Sequence, residues 1–544
     1  MITTRHFFSI IPACTLILAA CAAPSVTTAP SPEAGTSPAA PPIVAAAPVP
    51  PPNPSLPPVP HVTGPLAIRI VYPPAGHLIQ SKDSNFIFGS VGNGDAGLTI
   101  NGVLTPVWPN GSFMAFLANP PADAPQYDIV ATTGAETARL VHPVKIAPPP
   151  SATPVTPATM VPMSAARYAA LIGPAAYASD TERVVTGYST AYPTSGGIER
   201  WFLLPGTAVR VIGTLGNYHF VMLDSTQTIA IEKNDLKMLD SLAPAPASLN
   251  ASPFTVENGA EWTDIIIPIT GPPPFLVEEG PASLTLTLYG TRSSEDRQGP
   301  LTPAAGSYVT SAMSLRNRPR TQYLIPLAGP IYGYQPLWEN GKFTFRVRRP
   351  PVVDSTSSLR GLTIALDPGH PPAGATGPTG LYEADAALAV GLKARDLLQA
   401  KGANVFMTRS TPDTVDLNLR STLARRANAH ALVSIHLNAV GDGINPFRAQ
   451  GTETYHYHLH SAPLANAIQG AAVPQLGLPD HGVKRMNFAL VRGPWMPAVL
   501  VEGAFIIMPD LEAALRTPEY QQRYAQGIVD GLEAYFRSLA AAEK

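Results

Sequence analysis

The chain has 544 residues, too many for one hydrophobic core, so several domains are expected. A formal net charge of -2 and a pI of about 6.6 give no electrostatic case for nucleic acid as a partner. Proline is the compositional outlier, with 62 residues where average usage is about 5%, and Cys14 and Cys21 are the only cysteines.

Residues 1–21 read MITTRHFFSIIPACTLILAAC. A lone Arg5, a short apolar run and small residues before a cysteine predict a secretory signal peptide, too short to be kept as a membrane span. The ending Leu18-Ala19-Ala20-Cys21 resembles the bacterial lipobox, which implies lipid on Cys21 after cleavage; an ordinary signal peptide cut nearby is the alternative. In a Gram-negative cell, alanine rather than aspartate at position 22 points to the outer membrane. Both cysteines lie in this segment, so none remains downstream for a disulfide or a metal. Residues 22–63 are rich in Pro, Ala, Ser and Thr, with Glu33 as the one charge. Such a stretch cannot bury enough apolar surface to offset its ordering entropy, and it reads as a disordered tether. At about 3.1 Å per residue it reaches on the order of 100 Å when extended.

Residues 64–147 carry short alternating runs punctuated by Asn101-Gly102 and Asn110-Gly111, which favour hairpins. They predict a small β-sandwich resembling the immunoglobulin-like spacers of bacterial surface proteins. A Pro-rich linker over 148–165 follows. Residues 166–240 give another set of short strands, resembling the Src-homology-3-like barrels of wall enzymes, with wall binding or spacing as the role. Residues 241–352 form a third β-rich segment, in which Leu284, Leu286 and Leu288 alternate with threonines. There Asn340-Gly341 precedes a strand whose Arg346 and Arg348 share one face, either a hold for anionic glycopeptide or a solvated strand face.

The chemistry falls in residues 353–544. Three apolar runs end in a functional side chain: LTIALDPGH in His370, ALVSIH in His436 and AVLVE in Glu502. A helical pattern from Glu383 to Lys401 stops before Gly402. Strands alternating with helices predict an α/β domain with a mostly parallel twisted sheet flanked by helices. Ligands of such sheets sit beyond the carboxyl ends of the strands, where His370, His436, Glu502 and Glu383 fall. Two imidazoles and one carboxylate are a known catalytic zinc set with a fourth position left for water. A free carboxylate beside them, Glu502, can take the water's proton and pass it to a departing amine. The chain has no HExxH motif.

LDPGH, Glu383, Thr408-Arg409-Ser410, the helix from Leu419-Arg420 to Ala427-Asn428, SIHLNA at 434–439 and PAVLVEGAF at 497–505 resemble the zinc-dependent N-acetylmuramoyl-L-alanine amidase family over nearly the whole final third. The resemblance implies one Zn2+ on His370, Glu383 and His436, Glu502 as catalytic acid/base, and peptidoglycan as substrate. Ser434 and Asn438 flank His436 and are expected to support it or to touch substrate. Arg409 and Arg420 are expected to brace loops, and His430 to be structural. His456, His458 and His460 alternate along an expected strand and read as a solvated or crevice-lining row, with metal binding as the alternative. DPGHPP where the family usually has DPGHGG, and His481 in HGVK where it commonly has arginine, are departures. The short interval after the helix at 462–473 leaves no room for the inserted helix that plugs some division amidases. The expectation is a secreted, lipid-anchored wall hydrolase of the outer membrane, facing the periplasm. A zinc peptidase acting on stem peptides and a non-catalytic wall-binding lipoprotein are the alternatives.

Overall fold

The structure, a computed structural model, describes residues 51, 53–134, 136–148, 160–172, 185–188, 199–242, 249–372 and 374–542. The expected signal peptide, Cys21 and most of the tether and the Pro-rich linker lie outside the described residues. The chain divides into two compact units, one of residues 1–41, 157–247 and 274–276 and the other of 42–156, 248–273 and 277–544. Among the described residues no helix is long and apolar enough to cross a membrane.

The first unit holds a seven-stranded antiparallel sheet built from Val161–Leu171, Val185–Tyr188, Glu199–Leu203, Ala208–Leu215, Tyr218–Met222, Thr228–Glu232 and Leu236–Leu242. Alternation along these strands turns Val209, Val211, Ile229 and Ile231 inward with Trp201 and Leu203.

The second unit opens with two antiparallel sheets over residues 69–143. Asn101 and Gly102 both take positive φ, which closes the hairpin between Gly97–Ile100 and Val103–Thr105. One face of the sheet pair buries Ile87, Leu98, Phe113, Tyr127 and Ile129. The other puts Phe86, Phe88, Trp108 and Met114 into the same core as Phe505, Ile507 and Met508 of the C-terminal region. A free spacer would expose that face, so this module is fused to the region that follows it. The tether also ends earlier than residue 63. Asn53 donates to the Gly477 carbonyl, Arg523 donates to the Ser55 carbonyl, and Leu56 and Val59 pack on the C-terminal core.

Residues 249–348 form a four-stranded and a five-stranded sheet. Ile265, Ile267, Phe343, Phe345 and Val347 are buried in the first, and Leu284, Leu286, Leu288 and Ile325 in the second. The basic face expected on Lys342–Arg348 is only partly solvated, and its arginines are already engaged. Arg346 is held by Asp264 through two bonds of 2.8 Å, and Arg348 is buried with its guanidinium donating to the Ala429 and Asn428 carbonyls.

In the C-terminal region, β1 (Thr363–Pro368), β2 (Asn404–Met407), β3 (Ala431–Asn438), β4 (Thr452–His456), β5 (Asp480–Arg485) and β6 (Ala498–Phe505) make one sheet in the order β2-β1-β3-β6-β4-β5. β2, β1, β3 and β6 run parallel; β4 and β5 run the other way. Helix α1 (Glu383–Ala400) follows β1, α2 (Leu417–Arg426) precedes β3, α3 (Pro446–Ala449) is a single turn, and α4 (Ala462–Leu476) joins β4 to β5. The chain ends in α5 (Pro509–Leu515) and α6 (Pro518–Ala542). α6 buries Tyr520, Tyr524, Ile528, Leu532 and Tyr535, at helical spacing, and packs on α1 and α4. The sheet core is apolar on both faces, so the ends of β1, β3 and β6 are where polar side chains emerge.

Candidate metal and acid–base site

β1 runs apolar to Leu366 and then buries Asp367 completely. Its carboxylate accepts from the hydroxyls of Thr408 (2.5 Å) and Ser434 (2.7 Å) and pairs with Arg420 at 3.0 Å. Arg420 also donates to the carbonyls of Pro368 and His370, and Arg409 to those of Pro368, Gly369 and Ala384. The two guanidiniums satisfy the carbonyls of a sharply turning loop that no ladder can reach, which fixes the histidine at its end. Both arginines therefore brace the loop. His370 sits there at φ 61, a left-handed conformation tolerated by few residues other than glycine.

Glu383 is the first residue of α1, where the helix amides favour a carboxylate. It is buried and fully partnered: Oε1 accepts from Leu437 N (3.1 Å) and faces His436 Nδ1 at 2.9 Å, while Oε2 accepts from Ala375 N (2.9 Å) and faces His370 Nε2 at 3.1 Å. Burial pushes this carboxyl upward, but the hydrogen bonds and charges of His370 and His436 outweigh burial and hold it well below the usual carboxylate range. His370, Glu383 and His436 each offer one atom that could bind a metal ion, and these atoms all lie within 4.8 Å of one another. Two glycines permit the convergence. A Cβ on Gly369 would lie 2.5 Å from the His436 ring, and one on Gly374, at φ 70, would lie 2.6 Å from both Glu383 Oε2 and the His370 ring.

Glu502 stands on β6 directly opposite His436 on β3 and opposite Glu453 on β4. Its Oε2 is buried and has no hydrogen-bond partner among the described residues. Burial, with Glu383 and Glu453 adding repulsion, raises this carboxyl well above the ordinary range, so it favours keeping its proton. Glu453 is a member of this edge that the sequence did not single out. It accepts from Lys484 Nζ (2.6 Å), from the Tyr455 hydroxyl and, at 3.3 Å, from His481 Nδ1. The lysine and histidine, both on β5, hold its carboxylate in place, and an acid two residues from a tyrosine in an alternating strand was the available signal.

Ser434 is fully buried, with its hydroxyl donating to Asp367. Asn438 is half-buried at the end of β3, where its own Oδ1 accepts from Ala439 N. His430 precedes β3 and its Nδ1 accepts from Thr363 N at 2.9 Å. The row expected at His456, His458 and His460 does not form: β4 ends at His456, the chain turns, and all three rings are buried. Between α4 and β5 only residues 477–479 intervene, leaving no inserted helix among the described residues.

A model of the N-acetylmuramoyl-L-alanine amidase family matches residues 364–534. YqiI of Bacillus subtilis is 35% identical over 192 residues, which cover 34% of this chain and 90% of YqiI. The N-acetylmuramoyl-L-alanine amidase LytC of the same organism is 36% identical over 183 residues, covering 32% of this chain and 36% of LytC. The catalytic domain of the amidase CwlV from Bacillus (Paenibacillus) polymyxa is 34% identical, covers 32% of this chain and 97% of that domain, and superposes with a TM-score of 0.30. This chain thus spans nearly all of YqiI but about a third of LytC. The matched residues enclose His370, Glu383, His436 and Glu502, and the chain belongs to the N-acetylmuramoyl-L-alanine amidase family of cell-wall hydrolases.

Proposed function

We propose that residues 353–544 cut the amide between N-acetylmuramic acid and the L-alanine of the stem peptide, with His370, Glu383 and His436 holding one zinc ion and Glu502 moving the proton. The observation that supports this most is the meeting of two imidazoles and an ionised carboxylate at one sheet edge, with an unpartnered acid opposite one of the imidazoles. The donor set fits the ion: two neutral nitrogens and one carboxylate are a zinc set, and Glu383 stays ionised to serve it. Bound there, the ion supplies Lewis acidity and activates water at neutral pH.

The chain's own residues supply the remaining work. Ala375 N and Leu437 N fix both oxygens of Glu383, so its free lone pairs stay aimed at the histidines. Arg409 and Arg420 prevent the His370 loop from relaxing away. Glu502, whose Oε2 is buried and unpartnered, takes a proton from the attacking water and returns it to the amide nitrogen, which leaves poorly unless protonated.

Cys21 carries a lipid in this reading and ties the chain to the outer membrane, facing the periplasm; its lipobox-like sequence supports that. Residues 64–147 are an immunoglobulin-like module, 166–240 a Src-homology-3-like barrel with a wall-binding role, and 241–352 a third β module; the absence of an inserted helix between α4 and β5 favours an enzyme that needs no activator to unplug it. Digestion of purified peptidoglycan by the full chain tests the reaction. Free intact stem peptides are expected by mass spectrometry; shortened stems would make it a peptidase, and no release would make it a binding protein.

A further inference from the structure

A second cluster of side chains that could hold a metal ion lies just past the end of β4. His458 and His460 follow that strand, and Glu279 ends the strand Phe275–Glu279 of the middle β segment. Their side chains are 7%, 0% and 6% exposed, so water does not satisfy them. His458 Nδ1 and His460 Nδ1 each lie 3.0 Å from Glu279 Oε1. The Tyr334 hydroxyl is 3.2 Å from the same oxygen and 3.4 Å from His458 Nδ1. These three side chains meet the same 4.8 Å convergence as His370, Glu383 and His436.

The protons argue for a cation at the centre. His458 Nε2 lies 2.7 Å from the Arg492 carbonyl, which only accepts, so Nε2 carries a hydrogen. In a neutral ring, Nδ1 is then a bare lone pair aimed at a carboxylate oxygen. The His458 and His460 rings stack over that carboxylate, 5.2 Å apart and 19° from parallel, and His460 Nε2 is buried with no hydrogen-bond partner among the described residues. A divalent ion at the centre resolves that conflict, since two nitrogen lone pairs and a carboxylate then share one electrophile. A ligating histidine normally gives its other N–H to a backbone carbonyl, as His458 does. Glu279 is aimed in the same manner, with Oε2 accepting from His460 N at 3.0 Å.

We propose that Glu279, His458 and His460 bind a second transition-metal ion of the Zn2+ class, with the Tyr334 hydroxyl as fourth ligand. Imidazole nitrogens disfavour Mg2+ and Ca2+, and burial closes the site to substrate, so the ion is structural. It ties the middle β segment to the C-terminal sheet.

The test is a metal count on the full chain, stripped with chelator and reloaded with Zn2+. About two ions per chain are expected for wild type, and about one each for H370A/H436A and for E279Q/H460Q. Titration of the wild-type chain with Co2+, read by visible absorption, needs no variant to fold and is expected to break at about two equivalents, with the intensity of four-coordinate sites. A wild-type break at about one equivalent, with E279Q/H460Q retaining the wild-type count, would overturn the proposal and leave an imidazolium–carboxylate pair in the pocket. Misassignment of the first site has a different signature, namely wild-type metal content in H370A/H436A.

Discussion

His436 and Glu502 face each other across the parallel pair β3 and β6, so the ring that borders Glu383 and the acid with an unpartnered oxygen are neighbours by register. The ladder sets this relationship rather than a flexible loop, and the acid cannot drift from the ligand centre without breaking the sheet. Replacing Glu502 by Gln keeps shape and removes the titratable proton. Turnover on purified peptidoglycan is expected to fall by about 10²- to 10⁴-fold, while zinc content and binding to wall persist. Equal loss of turnover and metal would instead make Glu502 a ligand.

The ends of the apolar runs carried this much of the site because a buried parallel strand is continuously apolar and shows its first polar residue at the sheet edge. His370, His436 and Glu502 were legible for that reason. Glu279 was not, because it reaches His458 across 179 residues and nothing local to TYHYHLH announces a partner. Alternation likewise put Arg346 and Arg348 on one strand face, but whether that face meets water depends on Asp264 and on the Asn428–Ala429 turn, which no periodicity reveals. The fused N-terminal module escaped notice in the same way: Phe86 and Phe88 read as strand residues of a small sandwich, and the second core they enter is built some 400 residues later.

Arg420 is 3% exposed and Asp367 is not exposed at all, so their pair has no solvent to fall back on. Arg420→Ala leaves a buried carboxylate without its cation and the His370 carbonyl without its guanidinium donor, while Pro368 keeps only Arg409. Loss of about 3–5 kcal/mol of stability is expected in a denaturant titration. Zinc affinity, measured by competition with a chromophoric chelator, is expected to drop about 10- to 100-fold as the His370 loop loses its support.

Asp442 ties the N-terminal module to the loop after β3. It accepts from the Tyr72 hydroxyl, Gln80 N (3.0 Å) and Asn85 Nδ2 (3.0 Å), and faces His77 Nε2 at 3.2 Å. Burial works to raise this carboxyl, but those hydrogen bonds lower it, so it binds as an anion. Asp442→Ala strands several half-buried donors at once. A cost of about 1–3 kcal/mol is expected in thermal or urea unfolding, with faster proteolysis of residues 440–445. Unchanged proteolysis would mean that the apolar contacts of Phe86 and Phe88 hold the module alone.

His430 gives the fold an acid-side weakness of known sign. Its Nδ1 accepts from Thr363 N, and burial, with the nearby Arg348 charge, brings its pKa down to about 4. The unfolded chain binds that proton at a pKa of about 6.5, so between these values the unfolded state holds more protons. The histidine's contribution is therefore complete above about pH 6.5 and is lost progressively as pH falls towards about 4. Charging the ring would turn an acceptor of the Thr363 amide into a second donor, which pries β1 from β3 at its start. His430→Gln has no group that titrates in this range. The urea midpoint of that variant is expected to change less between about pH 7 and about pH 5 than the wild-type midpoint does, and parallel curves would assign the acid lability to other groups.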